Sequence, residues 1–369
     1  MNKFLFKLHS WTALLAVIPL LVICLTGSLL VFKHEIDRLL MHDNVVVPDY
    51  SSQRLPMDDL LAEINTKYAD HQVTGWLFHD DPQRADLVYV IANGTDTWNY
   101  LFLDSYSGTV LAEPVPLDHY LTDWLLELHY TLLLGDAGLL VAGLFSIALL
   151  GLGISGIILH RKFWKKFFTL RWKKRLVIYF SDLHKMVGVI ASPVLLILGF
   201  TGSWWNIDNF IHELQEHADG HTHYLMTERL YNDQLSLDTL LETSSKELDG
   251  FTTNYLSFPW EPGTAITAWG SVPSKSPLSS GYSSTVSFDS QTGELLGTTD
   301  IRNTGFGPAI VDSFEELHYG TFGGLTTRVL WAILGLAPLI LSVTGITLWF
   351  KRSRQRRLKR QKKLAQLPE

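Results

Sequence analysis

Residues 8–28, LHSWTALLAVIPLLVICLTGS, decide how this chain is read, because residues 183–203, LHKMVGVIASPVLLILGFTGS, repeat them. In both, Leu-His opens an apolar run that passes through Thr-Gly-Ser. His9 precedes Thr26 by 17 residues, and His184 precedes Thr201 by 17. A second pair follows the same habit. Leu128-His129-Tyr130 has its histidine 27 residues before Gly156, and Leu317-His318-Tyr319 has its own 27 before Gly345. The approaches match too, Asp123 to Glu127 against Asp312 to Glu316. The pattern is that of a duplicated membrane unit with histidines kept in both copies.

A bilayer crossing needs about 20 apolar residues. Four runs of the 369-residue chain qualify, near 11–32, 137–159, 187–207 and 328–350. Polar stretches 33–136 and 208–327 separate the first from the second and the third from the fourth. Charge orients them. The segments 1–10, 160–186 and 351–369 hold 20 of the 30 Lys and Arg but only two of the 37 acids, Asp182 and Glu369. The positive-inside rule puts these three in the cytoplasm and both long loops outside. Trp11, Trp164, Trp172, Trp204, Trp205 and Trp349 stand where interfacial anchors belong. A Lys/Arg run beside a span binds anionic lipid, so the basic tail is not read as a nucleic-acid site.

Cys24 is the single cysteine. That excludes an internal disulfide, a thiolate metal cluster and haem attachment through Cys-x-x-Cys-His. Gly151-x-Gly153-x-x-Gly156 imitates a dinucleotide fingerprint, but no strand precedes it and it lies mid-span, where small residues let helices or a flat cofactor approach. No nucleophile–base triad, P-loop or His-Glu-x-x-His points to hydrolysis.

Each long loop reads as a small helix plus antiparallel strands. In the first, Pro56–Tyr68 is helical with Leu60, Leu61, Ile64 and Tyr68 on one face. Val73–Phe78, Leu87–Ala92, Trp98–Leu103 and Thr109–Leu111 read as strands, with an Asp104-x-x-x-Gly108 turn. In the second, helix Leu237–Leu248 precedes strands Tyr255–Phe258, Ala265–Gly270 and Thr285–Phe288, then an Asp289-x-x-x-Gly293 turn. The fold class is therefore membrane α-helical: four transmembrane helices in two tandem repeats, each with an external α+β module.

The repeat sorts the 14 histidines. His9 pairs with His184 at the cytoplasmic span ends, and His129 with His318 at the external entrances. Ionisable residues near lipid are costly and tend to be functional. Two matched helices can offer an imidazole to each face of one iron, as in a bis-histidine b-type haem. The plain alternative is that each histidine is an interfacial residue that packs and hydrogen-bonds. His160, which aligns with Trp349, ranks behind as a ligand. His42 aligns with His217, and His212, His217, His221 and His223 form a histidine-rich tract. That tract reads as a solvated loop or an external metal contact.

Leu-His at a span start, Thr-Gly-Ser deep within it and an Asp-x-x-x-Gly turn ahead of Leu-His-Tyr resemble the PepSY-associated transmembrane family. The likeness covers about residues 1–352. It implies periplasmic PepSY-like modules at 33–136 and 208–327 and a place in the bacterial inner membrane. It also implies two haems b held by His9, His184, His129 and His318, and electron delivery to a periplasmic ferric-siderophore. Only 19 mostly basic residues follow residue 350, so the implied electron donor is a quinol or a separate reductase. Two other readings stay open: a non-redox membrane protein that binds or regulates a periplasmic partner, and a haem or siderophore transporter.

Overall fold

The computed structural model describes residues 3–50, 53–160, 170–172, 175–218 and 224–364. Helices α1 (Lys3–Leu30), α2 (Lys33–Leu40), α3 (His42–Val45) and α4 (Met57–Lys67) come first. Strands β1 (His71–Leu77), β2 (Asp86–Ala92), β3 (Trp98–Leu103) and β4 (Val110–Pro116) follow. Helices α5 (Leu121–Tyr130), α6 (Asp136–Leu159), α7 (Leu176–Ala218) and α8 (Leu237–Glu247) lead to β5 (Thr252–Ser257), β6 (Ile266–Ser271), β7 (Ser284–Phe288) and β8 (Leu295–Thr299). Helices α9 (Phe306–Tyr319), α10 (Gly324–Gly335) and α11 (Ala337–Leu364) close the chain.

Two compact units result. One is helical and comprises Met1–Val31, Leu125–Gln215 and Leu317–Glu369; the other comprises Phe32–Trp124 and Glu216–Glu316. In the helical unit, four stretches are long and apolar enough to cross a membrane: Lys3–Leu30, Asp136–Leu159, Leu176–Ala218 and Gly324–Lys362. They run beyond the lengths expected from hydropathy, because polar turns that leave the apolar core keep their helical hydrogen bonds. His9 and His184 therefore sit inside helices rather than at their entrances. The last stretch breaks at Leu336, two residues before Pro338, whose ring nitrogen cannot donate to a helical carbonyl. Small and apolar residues fill the centre: Ala16, Leu20, Cys24, Leu149, Ala191, Leu195 and Ala337 are buried together.

The second unit differs from the two separate modules expected. Its strands form one antiparallel sheet in the order β4-β3-β2-β1-β5-β6-β7-β8. The seam is β1 against β5, with Gly75, Trp76 and Leu77 opposite Ser257, Leu256 and Tyr255. Strand β8, absent from the sequence expectations, closes one edge. The order helix then four strands occurs twice, as α4-β1-β2-β3-β4 and α8-β5-β6-β7-β8. Helices α4 and α8 share one core with the sheet, built from Leu60, Ile64, Trp76, Leu237, Leu256 and Phe288 among others. The Asp-x-x-x-Gly turns form as read. Asp104 Oδ1 accepts from Tyr106 N at 2.9 Å and Asp289 Oδ1 from Gln291 N at 2.9 Å. Each turn ends on a left-handed residue, Gly108 at φ +75° and Gly293 at φ +73°, where a Cβ would be strained.

The two helices cap each other. Asp238 takes the backbone N–H groups of Met57 and Asp58, each at 3.0 Å. Asp58 takes that of Leu237 at 2.6 Å and the Ser236 hydroxyl at 2.6 Å. Each carboxylate thus meets orphan donors and the positive end of the other helix. Replacing either aspartate by Ala should cost about 0.5–2 kcal/mol, the range for a lost N-cap. Because both caps share one junction, the double variant should lose clearly less than the two single losses together. Thermal unfolding of the detergent-purified chain checks this; strict additivity would contradict the shared junction.

Candidate functional site

All four paired histidines lie against a Ser/Thr-Gly step on a neighbouring helix. His9 of α1 has Nδ1 2.7 Å from Ser155 Oγ of α6. His184 of α7 has Nδ1 2.9 Å from Thr344 Oγ1 of α11. His129 of α5 meets Thr26 Oγ1 of α1 at 3.1 Å and the Ile23 carbonyl at 2.9 Å. His318 of α9 meets Thr201 Oγ1 of α7 at 2.7 Å. The next residue is glycine each time, and the imidazole packs over it, closely enough at Gly27 and Gly345 to crowd a side chain there. A Cβ at Gly27 would stand 2.6 Å from His129 Cε1, one at Gly345 3.3 Å from His184 Cε1, one at Gly202 3.4 Å from His318 Cε1 and one at Gly156 3.8 Å from His9 Cε1.

The hydroxyls decide the tautomer. Each donates to a carbonyl of its own helix: Thr26 to Val22 at 2.8 Å, Ser155 to Leu152 at 3.2 Å, Thr201 to Ile197 at 2.9 Å and Thr344 to Ile340 at 2.7 Å. With its hydrogen committed, the oxygen accepts from the histidine, so Nδ1 carries the proton. The lone pair then resides on Nε2, the nitrogen left to ligate. All four histidines are half-buried as residues.

The pairing follows the internal repeat. The ring centres of His129 and His318 are 6.3 Å apart at an interplanar angle of 65°. Trp205 packs on this pair, its ring centre 5.1 Å from that of His318. His9 and His184 line one cavity of about 440 Å³, walled by Gly153, Gly156, Gly188 and Gly345. Lys7, Lys185, Arg352 and Arg356 border the same cavity, as do Trp11 and Trp349, whose rings meet edge-on at 6.4 Å. His9 and Thr26 are 17 residues apart on α1, so the two histidine pairs are about 26 Å apart along that helix at 1.5 Å per residue.

Other predicted residues fall outside this arrangement. His160 caps the end of α6 and lines the same cavity as His9 and His184, but it has no counterpart in the internal repeat, where Trp349 stands in its place. His217 is exposed in the last turn of α7. His221, His223 and Trp164 lie outside the described residues. Among the described residues no three His, Cys, Asp or Glu side chains group as a multidentate metal site would require. The hydroxyl partners were missed from sequence. The 27-residue spacing marked the repeat without naming a partner; in the structure Gly156 receives His9 and Gly27 receives His129. The signal was present as four dipeptides, Thr26-Gly27, Ser155-Gly156, Thr201-Gly202 and Thr344-Gly345.

Ahead of His318 on α9, burial and then the Glu316 and Asp312 carboxylates push the Glu315 carboxyl up to about 7. Ser280 takes Asp312 through both its N–H, at 3.2 Å, and its hydroxyl, at 2.6 Å.

A family model described as the PepSY-associated TM region matches residues 6–352. An uncharacterized protein of Pseudomonas aeruginosa is 27% identical over 254 residues, which is 62% of this chain and 63% of that protein. The match thus spans less than two thirds of the relative's length.

Two outcomes follow from the side chains themselves. Thr201→Val leaves the His318 Nδ1–H without its acceptor and should cost about 1–3 kcal/mol, while Thr201→Ser should restore most of the loss. Melting temperatures of the three proteins decide it, and a valine variant as stable as wild type would count against the assigned tautomer. For Glu315 the folded pKa lies above the ordinary value of 4.5. The folded state therefore holds the proton more tightly, and stability should fall as pH rises from about 4.5 to 7. Glu315→Gln should flatten that decline in melts run across the window.

Proposed function

This chain belongs to the PepSY-associated transmembrane family, and on that premise we propose that it is an inner-membrane b-type haem protein that reduces a periplasmic ferric chelate. The observation that carries the reading is the set of four Nδ1-anchored histidines, arranged as two pairs near opposite ends of the apolar helices. A lone interfacial histidine needs no such anchoring. Four built alike, each with Nε2 left for a metal, are what axial ligation demands.

The residues fit the group. His129 and His318, whose ring centres are 6.3 Å apart, would hold one iron between them. His9 and His184 line a largely apolar cavity of about 440 Å³, with Gly153, Gly156, Gly188 and Gly345 in its wall. Lys7, Lys185, Arg352 and Arg356 at its border suit the carboxylates that a haem b carries. Haem bound at both places supplies one-electron transfer between ferric and ferrous iron. The chain's own part is to hold each imidazole in one tautomer and to cover the ring with apolar side chains. It also spaces the pairs along α1 and α7.

Basic ends and acidic loops favour the orientation read from sequence, with both termini cytoplasmic. The donor is then a quinol or a cytoplasmic reductase, and the acceptor a ferric-siderophore on the opposite side. One electron converts hard ferric iron to ferrous, which oxygen chelators hold less tightly, so the metal is released.

Chain purified in detergent from haem-replete cells should show a Soret band that shifts and a split α-band on dithionite reduction, with two haems per chain. His318→Ala and His184→Ala should each lose about one haem, and pyridine haemochrome assay gives the count. A colourless wild-type preparation, or variants with undiminished haem, would overturn the proposal.

A further inference from the structure

Each histidine of the outer pair is the last residue but one of its helix, His129 in α5 and His318 in α9. That is an awkward place for a ligand. The last four carbonyls of a helix have no partner within it, and helix ends fray. Helix α5 has only 10 residues, too few to be stable on its own. Apolar surroundings supply no water for the loose carbonyls. A hydroxyl at Nδ1 fixes one atom of the ring, but it does not stop the helix end beneath from turning.

Two buried donors on the spans meet this need. Asn206 of α7 donates through Nδ2 to the Tyr130 carbonyl at 2.7 Å. Trp331 of α10 donates through Nε1 to the Leu317 carbonyl at 2.7 Å. Each bond thus lands on a residue adjoining the histidine, and each donor is 8% exposed. Asn206 follows Thr201 on α7 by about 7.5 Å of helix, and Thr201 holds His318. One helix therefore grips both members of the pair. Trp331 adds its ring, which lies so close to Gly320 that a Cβ there would stand 2.6 Å from Trp331 Cγ.

Neither donor has a copy. At the repeat intervals Val31 stands in the place of Asn206, and Ala142 in that of Trp331. The repeat gives both halves a histidine and a hydroxyl, but each half ties down its ligand helix differently. Neither donor lines the cavity of His9 and His184, which lie inside longer helices. The two outer helix ends also carry unequal loads. Past Tyr130 the chain runs through Leu132 at φ +55° and Leu133 at φ +60°, a left-handed conformation that is costly for a residue with a Cβ. Past Tyr319 the turn is made by Gly320 at φ +71°, which escapes that cost. The end of α5 is thus the one under strain.

We propose that Asn206 and Trp331 are positioning residues for the outer histidine pair: by tying the Tyr130 and Leu317 carbonyls to the spans, they stop the ends of α5 and α9 from turning and hold His129 and His318 at one separation and one mutual angle. Asn206, on the strained side, carries the greater share. The inference rests on the haem reading for what the pair ligates, not for the clamp itself.

Backgrounds that keep one haem apiece separate positioning from general loosening: His184→Ala retains the outer haem, and His318→Ala the inner. Added to His184→Ala, Asn206→Leu and Trp331→Phe should each speed haem loss to apomyoglobin by about 10–100-fold, the usual effect of removing a ligand's supporting partner, with Asn206→Leu the faster. Both should also shift the low-spin ferric EPR signal, which reports the angle between two axial imidazole planes. Added to His318→Ala, neither should change rate or signal. Trp331→Phe keeps a ring against Gly320, so its folding is not at stake. An unchanged rate and signal in the first background, or equal acceleration in both, would overturn the assignment, and a variant that holds no haem in either background gives the second of these results. A colourless wild type defeats the haem reading, and the clamp is then read on the unloaded chain. With Cys24→Ala, His129→Cys and His318→Cys combined, a short bis-maleimide should join the two positions, and adding Asn206→Leu should cut the yield severalfold. An unchanged yield there defeats the clamp alone.

Discussion

An imidazole inside an apolar bundle has two nitrogens to satisfy and few groups to satisfy them with. Leaving one as an unpaired N–H or lone pair in such surroundings costs roughly 1–3 kcal/mol. This chain meets the constraint the same way four times. A hydroxyl on the adjoining helix, already bonded to its own i−3 or i−4 carbonyl, takes the Nδ1 proton. A glycine after it makes room for the ring. Helix packing follows from that requirement. Side chains bulkier than hydrogen at Gly27 or Gly345 would push α5 from α1, or α7 from α11, and the hydroxyls would no longer reach.

Period and spacing made the helical part readable. Four long apolar runs, a repeated histidine-to-threonine interval and basic flanks are local in sequence, so no tertiary knowledge is needed to see them. The partners were harder. That Ser155 belongs to His9, and Thr344 to His184, depends on which helices touch, and no residue interval encodes that. The aligned glycines marked the duplication and named no partner for any histidine. The join of two sheets into one was hidden for a similar reason. β1 and β5 are almost 180 residues apart, and their register rests on Gly75 lying under Tyr255, where a Cβ would stand 2.2 Å from the hydroxyl oxygen.

The sheet-bearing unit shows how a duplicated pattern can be symmetric in support and asymmetric in detail. Asp58 and Asp238 exchange helix caps as equals, and both Asp-x-x-x-Gly turns close on a left-handed glycine. The differences are in what lies on the sheet. Lys33 binds Asp37 at 2.9 Å and Asp123 at 2.8 Å, and Tyr100 donates to Asp123, which fastens α2 and α5 to the β1–β4 half. At the matching place in the second half, Asp312 takes the N–H and hydroxyl of Ser280, and among the described residues no cation pairs with it. The first half thus neutralises its acids with Lys33, while the second keeps Asp312, Glu315 and Glu316 together along α9.

Equal ligand sets at both ends have an electrostatic consequence on the proposed reading. With the same imidazole, hydroxyl and glycine at each position, the ligands themselves set no difference in potential. Fixed charge must set it instead. Lys7, Lys185, Arg352 and Arg356 around the His9–His184 cavity favour the reduced state there, whereas Asp312 and Glu316, within two turns of His318 on α9, oppose it. The static charges alone would therefore hold an electron at the basic end. An energised membrane works in the opposite sense. About 2.3 kcal/mol per 100 mV accompanies each charge that crosses, and an electron leaving a negative interior moves downhill. Spacing the pairs by about 26 Å, most of the roughly 30 Å apolar thickness, places nearly that whole drop between them. The 17-residue interval repeated on α1 and α7 is then the dimension that couples the reaction to the membrane potential.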